Sequence, residues 1–258
     1  MVIKLMSKLP NFAVVWFLCV VGSIGPAFAV DPTLNALPFL KKMQLAKAGD
    51  PDAKMAVAEA YETGNDAKLD PGKAAKWYRE AALVGNVEAQ FRLAKLVNKG
   101  APGLVADKPT ALKLLQSAAK LGHAGAQNLL GQMLQNGDGI AKDEKQAALW
   151  YQKSADQNDA VAQNNLGVLY LKGLGVDRDL NKAFTLFEAA AKAEEGWALN
   201  NLGGMYEMGW GTPKDVEKAK LYYGQAAAKG IAMATQNLAR LGVASLATGT
   251  VPEIKPAP

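Results

Sequence analysis

Six alanines fix the architecture open to this chain. Ala53, Ala89, Ala126, Ala162, Ala198 and Ala234 stand 36, 37, 36, 36 and 36 residues apart. A fixed period of roughly 20–50 residues marks a stacked array of small units rather than a single globular core. The residues after each alanine repeat as well. Four positions on stand Val57, Leu93, Leu130, Leu166, Leu202 and Leu238, and the next position is always small: Ala58, Ala94, Gly131, Gly167, Gly203 and Ala239.

Ala162, Leu166, Leu169 and Tyr170 fall at i, i+4, i+7 and i+8, one face of an α-helix that we term helix A. Gly167 weakens a helix, so its recurrence at one phase implies a close approach by a neighbour. Helix A stops at Gly64, Gly100, Gly137, Gly173 and Gly209, since glycine just past a helix adopts the left-handed conformation cheaply. A second glycine follows at Gly139, Gly175 and Gly211.

Asp70, Asp107, Asp143, Asp179 and Asp215 come next, and an aspartate before a helical pattern is an N-cap. The alternative, a row of acidic ligands, does not explain one aspartate per repeat at this phase. Helix B follows, with Ala74, Trp77, Tyr78, Ala81 and Ala82 on one face, and equivalents from Ala147 and Ala219. Large aromatics alternate there with paired small residues, so knobs meet gaps. Helix B closes at Gly85, Gly122, Asn158, Glu194 and Gly230; Glu194 breaks the pattern and implies a looser corner.

AQNNLGVLYLKGLGVDRDLNKAFTLFEAAAK, residues 162–192, closely resembles the Sel-one-like repeat, a relative of the tetratricopeptide repeat. The resemblance covers residues 50–242. It implies an all-α fold, a right-handed α/α solenoid of five helix pairs: residues 50–85, 86–122, 123–158, 159–194 and 195–230. Residues 30–49 and 231–242 then act as half-repeat caps, a lone helix B and a lone helix A, covering the exposed ends of the array. The second copy departs from the pattern, with an extra corner residue in GAPGLVAD and Leu114-Leu115 in place of the aromatic pair. Residues 243–258, with three prolines and no periodicity, read as a disordered tail.

The first 29 residues are of another kind. Lys4 and Lys8 precede an apolar run, residues 12–21, and then Gly22, Gly25, Pro26 and Ala27-Phe28-Ala29. That order is the signature of a secretory leader, with cleavage expected after Ala29. The alternative, an uncleaved anchor, needs an apolar run of about 20 residues. Cleavage removes Cys19, the single cysteine, and with it any disulfide or thiolate chemistry. It also leaves 27 basic against 24 acidic residues, a net charge of +3 with the charges interspersed, which gives nucleic-acid binding no support. The expected location is periplasmic or secreted, without stable membrane insertion, and as a monomer.

The resemblance implies that A helices line the concave side. Six of them at ~8–10 Å spacing make a groove of about 50 Å, room for roughly 15 extended residues. Matched to the related tetratricopeptide pattern, concave positions lie two, six, nine and ten residues after each alanine. The first set includes Asn128, Asn164, Asn200 and Gln236. A carboxamide carries both donor and acceptor, so this row is the candidate grip on a partner's main chain; the alternative is a tolerated polar residue on a solvated face. Lys95, Lys99 and Lys172 are candidate contacts to acidic groups. Glu59, Glu62, Asn98, Gln135, Glu207 and Arg240 share the face, and Val168, Leu171 and Met208 are candidates for an adhesive patch.

Catalytic parts are missing. The one histidine, His123, reads as an exposed corner residue, with no nucleophile motif to serve. No His/Cys cluster suits a metal, and no cofactor motif occurs. The function expected is therefore not enzymatic: a protein–protein interaction scaffold or regulator in the bacterial envelope, holding a partner protein or peptide. The other readings are a secreted factor that binds host proteins and a hydrolase of β-lactam or cell-wall substrates. The last rests on family members with disulfides, which the mature chain lacks.

Overall fold

A computed structural model describes residue 34 and residues 36–243. The expected leader, the first residues of the N-terminal cap and nearly all of the tail lie outside the described residues. Within them the chain forms twelve helices: α1 Phe39–Lys47, α2 Pro51–Thr63, α3 Pro71–Leu83, α4 Val87–Lys99, α5 Lys108–Lys120, α6 Ala124–Asn136, α7 Glu144–Ala155, α8 Ala160–Lys172, α9 Leu180–Lys192, α10 Gly196–Met208, α11 Val216–Ala228 and α12 Ala232–Arg240. Each helix packs chiefly on its neighbours in sequence, as in a solenoid. The even-numbered helices are A helices and the odd-numbered ones B helices, so α1 and α12 are the lone end helices.

The punctuation acts as the residues dictate. Asp70, Asp107, Asp143, Asp179 and Asp215 each accept a hydrogen bond from a first-turn amide of α3, α5, α7, α9 and α11. Gly64, Gly137, Gly173 and Gly209 end their A helices in the left-handed region. The corner at Glu194 is not looser. Glu194 itself adopts φ +57° and Asn158 φ +64°, matching the glycines of the other repeats. The amides of Glu194 and Glu195 close the turn on Ala191 and Ala190, and Lys229 pairs with the Glu194 carboxylate.

The small residue inside helix A faces an aromatic ring. A Cβ on Gly131, Gly167 or Gly203 would stand 2.8 Å from Tyr151, Phe187 or Tyr223. Those rings and Tyr78 are almost fully buried, each contributing about 1.5–3 kcal/mol of hydrophobic stabilisation. The second corner glycines have a different partner. A Cβ on Gly175 would lie 2.6 Å from Lys145 N, and one on Gly211 would lie 2.9 Å from the Leu180 carbonyl carbon. The last two corners therefore seat directly on the first turn of the preceding B helix.

The second repeat's corner is distinct. Gly100 has ψ 170° rather than a left-handed cap. Ala101 and Leu104 exchange backbone hydrogen bonds of 2.9 and 2.8 Å. With α3 this corner borders a surface cavity of about 370 Å³ lined by Asp70, Lys73, Lys76, Arg79 and Gly103.

Candidate functional site

Side-chain bonds show which row of helices is the tight one. Consecutive A helices are joined by Arg92 to Glu62, His123 to Glu88, Asn165 to Asn128, Asn201 to Asn164, Asn237 to Asn200 and Arg240 to Glu207. Among the described residues the only side-chain bond between consecutive B helices is at their C-terminal ends, Lys229 to Glu194. The A helices are thus bonded to one another along the array, in keeping with the concave placement that the resemblance implies, and their face is the candidate site.

The asparagine row is a ladder. Asn165 Nδ2 donates to Asn128 Oδ1 at 3.0 Å, Asn201 to Asn164 at 2.8 Å and Asn237 to Asn200 at 3.1 Å. Asn128, Asn164 and Asn200 are only 9, 7 and 6% exposed. Each carbonyl oxygen already accepts from the next repeat, so the amide N–H groups are the row's freest contribution to a partner. Those nitrogens have no partner among the described residues and are not sealed from solvent. Gln236 is exposed, because no further repeat follows it. Lys95, Lys99 and Lys172 are exposed, Lys95 over the Phe91 ring at 5.5 Å.

The face changes character along the array. In the first repeats it is ionic. Arg92 reaches Glu88 at 2.6 Å, Glu62 at 3.3 Å and Glu59 at 3.6 Å. His123 is not an exposed corner residue; its side chain is 15% exposed. It caps α6, with Nδ1 accepting from Ala126 N at 3.1 Å. Nε2 therefore carries the proton and donates to Glu88 at 2.7 Å. That bond, joined by the Arg92 guanidinium, holds the Glu88 carboxyl down to about 2, whereas burial raises Glu59. Phe91 stacks on the imidazole, ring centres 4.4 Å apart, and fills the space beside Gly125.

Positions nine after the repeat alanine are matched to helix B. Glu62, Gln135 and Glu207 accept from the hydroxyls of Tyr78, Tyr151 and Tyr223 at 2.5, 2.7 and 2.8 Å. Burial raises the pKa of all three tyrosines. Where helix B has Phe187, the matching residue is Leu171, which packs against the same cluster. Where helix B has Leu115, the matching residue is Asn98, and its Oδ1 is buried without a donor. Val168 and Leu171 are thus partly buried, while Met208 is 55% exposed.

A further row was missed at sequence level. Val161, Trp197 and Met233 immediately precede their repeat alanines and are 43, 48 and 51% exposed. They stand three positions before Asn164, Asn200 and Gln236, so both rows share one helical face. Their signal was the recurrence of large apolar side chains at one phase of three successive A helices.

The Sel1 repeat family model matches residues 51–86, 87–123, 124–159, 160–194 and 198–231. A crystal structure of a Sel1 repeat protein from Oxalobacter formigenes is 29% identical, with TM-score 0.70, over 80% of this chain and 93% of that one. The protective antigen c5321 of uropathogenic Escherichia coli is 28% identical with TM-score 0.70, over 79% of this chain and 44% of that one. The DAP3-binding cell death enhancer 1 of Mus musculus is 32% identical over 127 residues, 44% of this chain. The chain spans only 25% of the mouse protein's length. Proteins of this family are generally protein–protein interaction scaffolds. With five matching repeats over more than half its length, this chain belongs to the Sel1 repeat family.

Proposed function

We propose that the protein is an exported scaffold or regulator of the bacterial envelope that holds a segment of a partner protein along the inner face of its A helices, and that it is not an enzyme. The observation that carries this is the continuous row of Val161, Trp197 and Met233, each about half exposed, beside amide donors that no described residue engages. Large apolar side chains left in solvent at one phase of successive helices are a mark of an interaction surface. The lysines at 95, 99 and 172 add cationic contacts at the same face.

The test places a photo-crosslinking residue at position 197 or at position 83, an exposed site on α3, in the native cell. Specific crosslinks from 197 and none from 83 are expected; equal crosslinking from both overturns the inner-face reading. Amino-terminal sequencing of the exported protein should begin at Val30. The similarity to an antigen of uropathogenic Escherichia coli favours a second reading, a secreted factor that meets host proteins. Recovery from the medium rather than the periplasm selects that reading.

A further inference from the structure

The inner face of the last three A helices differs from that of the first two in a way that specifies a ligand class. On α8, α10 and α12 the positions one before, two after and six after the repeat alanine are Val161, Asn164 and Val168; Trp197, Asn200 and Gly204; and Met233, Gln236 and Arg240. Arg240 is the one charge among them, and Glu207 pairs with it through bonds of 2.5 and 2.7 Å; the other charge on this face, Lys172, stands at the far end of α8 from Val161. On α2 and α4 the same positions carry Asp52, Glu59, Glu88 and Lys95. An uncharged segment is complementary to the last three helices and mismatched to the first two.

Spacing narrows the class further. Single asparagine side chains bond across from α10 to α8 and from α12 to α10, which holds these helices about as close as directly packed ones, ~8–10 Å, so Val161, Trp197 and Met233 recur at about that interval. A polyproline II segment turns once every three residues with a rise of about 3.1 Å per residue. Every third side chain thus recurs at about 9 Å on one side. A β-extended segment alternates at about 6.6 Å, which fits the interval less well. A polyproline II chain also has no internal hydrogen bonds, and its carbonyl oxygens need donors. The amide nitrogens of Asn164 and Asn200 are donors without acceptors, since the ladder consumes only their oxygens. Trp197 supplies the aromatic surface on which proline rings and aliphatic side chains dock.

We propose that α8, α10 and α12 bind an uncharged, proline-rich segment of another protein in the polyproline II conformation, with an apolar side chain at every third position over Val161, Trp197 and Met233. This rests on the inner-face reading above and adds the chemistry of the occupant.

The experiment titrates the full exported chain with three fluorescent synthetic twelve-residue peptides, read by anisotropy. One repeats Leu-Pro-Pro, one has the same composition with the three-residue period broken, and one carries Lys or Glu at every third position. The periodic apolar peptide is expected to bind at least tenfold tighter than the other two. Trp197→Ala should weaken it about thirtyfold, the scale of a central aromatic anchor. Val161→Glu and Met233→Glu should weaken it too, whereas Leu83→Glu and Leu149→Glu on B helices should not. Circular dichroism confirms that each variant is folded. Equal affinity for all three peptides, with sensitivity to Trp197→Ala, overturns the polyproline II assignment and leaves the inner-face reading standing. Binding insensitive to Trp197→Ala, or no binding, overturns the proposal. Binding that emerges only after removal of residues 244–258 assigns the row to the chain's own tail and overturns a partner in trans.

Discussion

Substituting Gly211 by alanine tests the way the corners lock the array. Gly211 has φ +69°, and a Cβ there would meet the Leu180 carbonyl carbon at 2.9 Å and Phe184 Cβ at 3.1 Å. Two costs add. Left-handed backbone costs an alanine about 1 kcal/mol relative to glycine. Forcing a methyl group into a packed backbone contact costs about 2–3 kcal/mol more. Gly139 separates the two, because it has φ +72° but its nearest neighbours are Lys108 Cβ and Met133 Cε at 3.6 Å. Gly139→Ala should therefore lose about 1 kcal/mol and Gly211→Ala about 3–4 kcal/mol. Urea unfolding followed by circular dichroism gives the totals. Amide exchange adds the location, since a solenoid need not unfold as one unit: Gly211→Ala should release α10 to α12 ahead of α2 to α6. Equal losses for the two substitutions would refute the docking contact and leave backbone conformation as the whole effect.

Three further substitutions probe the inner face. Asn98→Leu removes a buried acceptor that has no donor and copies the pairing of Leu171 with Phe187; urea unfolding should show a gain of about 1 kcal/mol, and a loss would contradict the reading. Asn201→Ala strips the donor from Asn164 Oδ1 and should cost about 1–2 kcal/mol, whereas a neutral result would mean the ladder is incidental. Glu88 titrates lower in the folded chain than its ordinary value of 4.5, at about 2. Its contribution is therefore complete above the ordinary carboxylate range and lost as pH falls toward 2. Allowing for partial exposure, Glu88→Gln should flatten the fall in stability between pH 5 and 2.5 by about 1–2 kcal/mol, and an unchanged slope rules the pairing out.

The fold was legible because its determinants are local and periodic. Asp143 caps α7 wherever that helix packs, and Gly173 ends α8 through its own backbone freedom. The small residue at Gly203 announced a close neighbour, and Tyr223 is that neighbour. The site was less legible because its chemistry joins residues of different repeats. Asn164 read as a free carboxamide with two functions, yet its oxygen belongs to Asn201. A signal existed: asparagine two residues after one alanine is followed by asparagine three residues after the next, at 128 and 165, 164 and 201, 200 and 237. The same holds for Tyr78 with Glu62 and Phe187 with Leu171, where the polarity of one position predicts its partner. Glu194 misled because a non-glycine residue at a left-handed corner carries strain that its neighbours here override.

The two kinds of inter-repeat link also bear on how the array assembles. Repeats of nearly equal length present nearly equal packing surfaces, so a pair of helices seated one repeat out of order buries a similar apolar area. Such mispairing is a characteristic failure of repeat proteins. The links discriminate. Arg92 on α4 needs the carboxylates of Glu59 and Glu62 on α2; against α6 it would face Gln132 and Gln135. Asn201 and Asn237 need an asparagine carbonyl on the preceding A helix; against α2 or α4 they would meet Met55 or Phe91. A displaced charge or carboxamide at a half-buried junction loses its partner at a cost of about 1–3 kcal/mol. Each wrong neighbour is thus penalised on the scale that separates one seating from another. The amide ladder begins at α6, where His123 pairs backward to Glu88 and Asn128 accepts forward from Asn165, and an ionic link joins it again only at the last junction, Arg240 to Glu207. That helix fixes the order of the two halves, and with it the placing of the apolar row Val161, Trp197 and Met233 on α8 to α12.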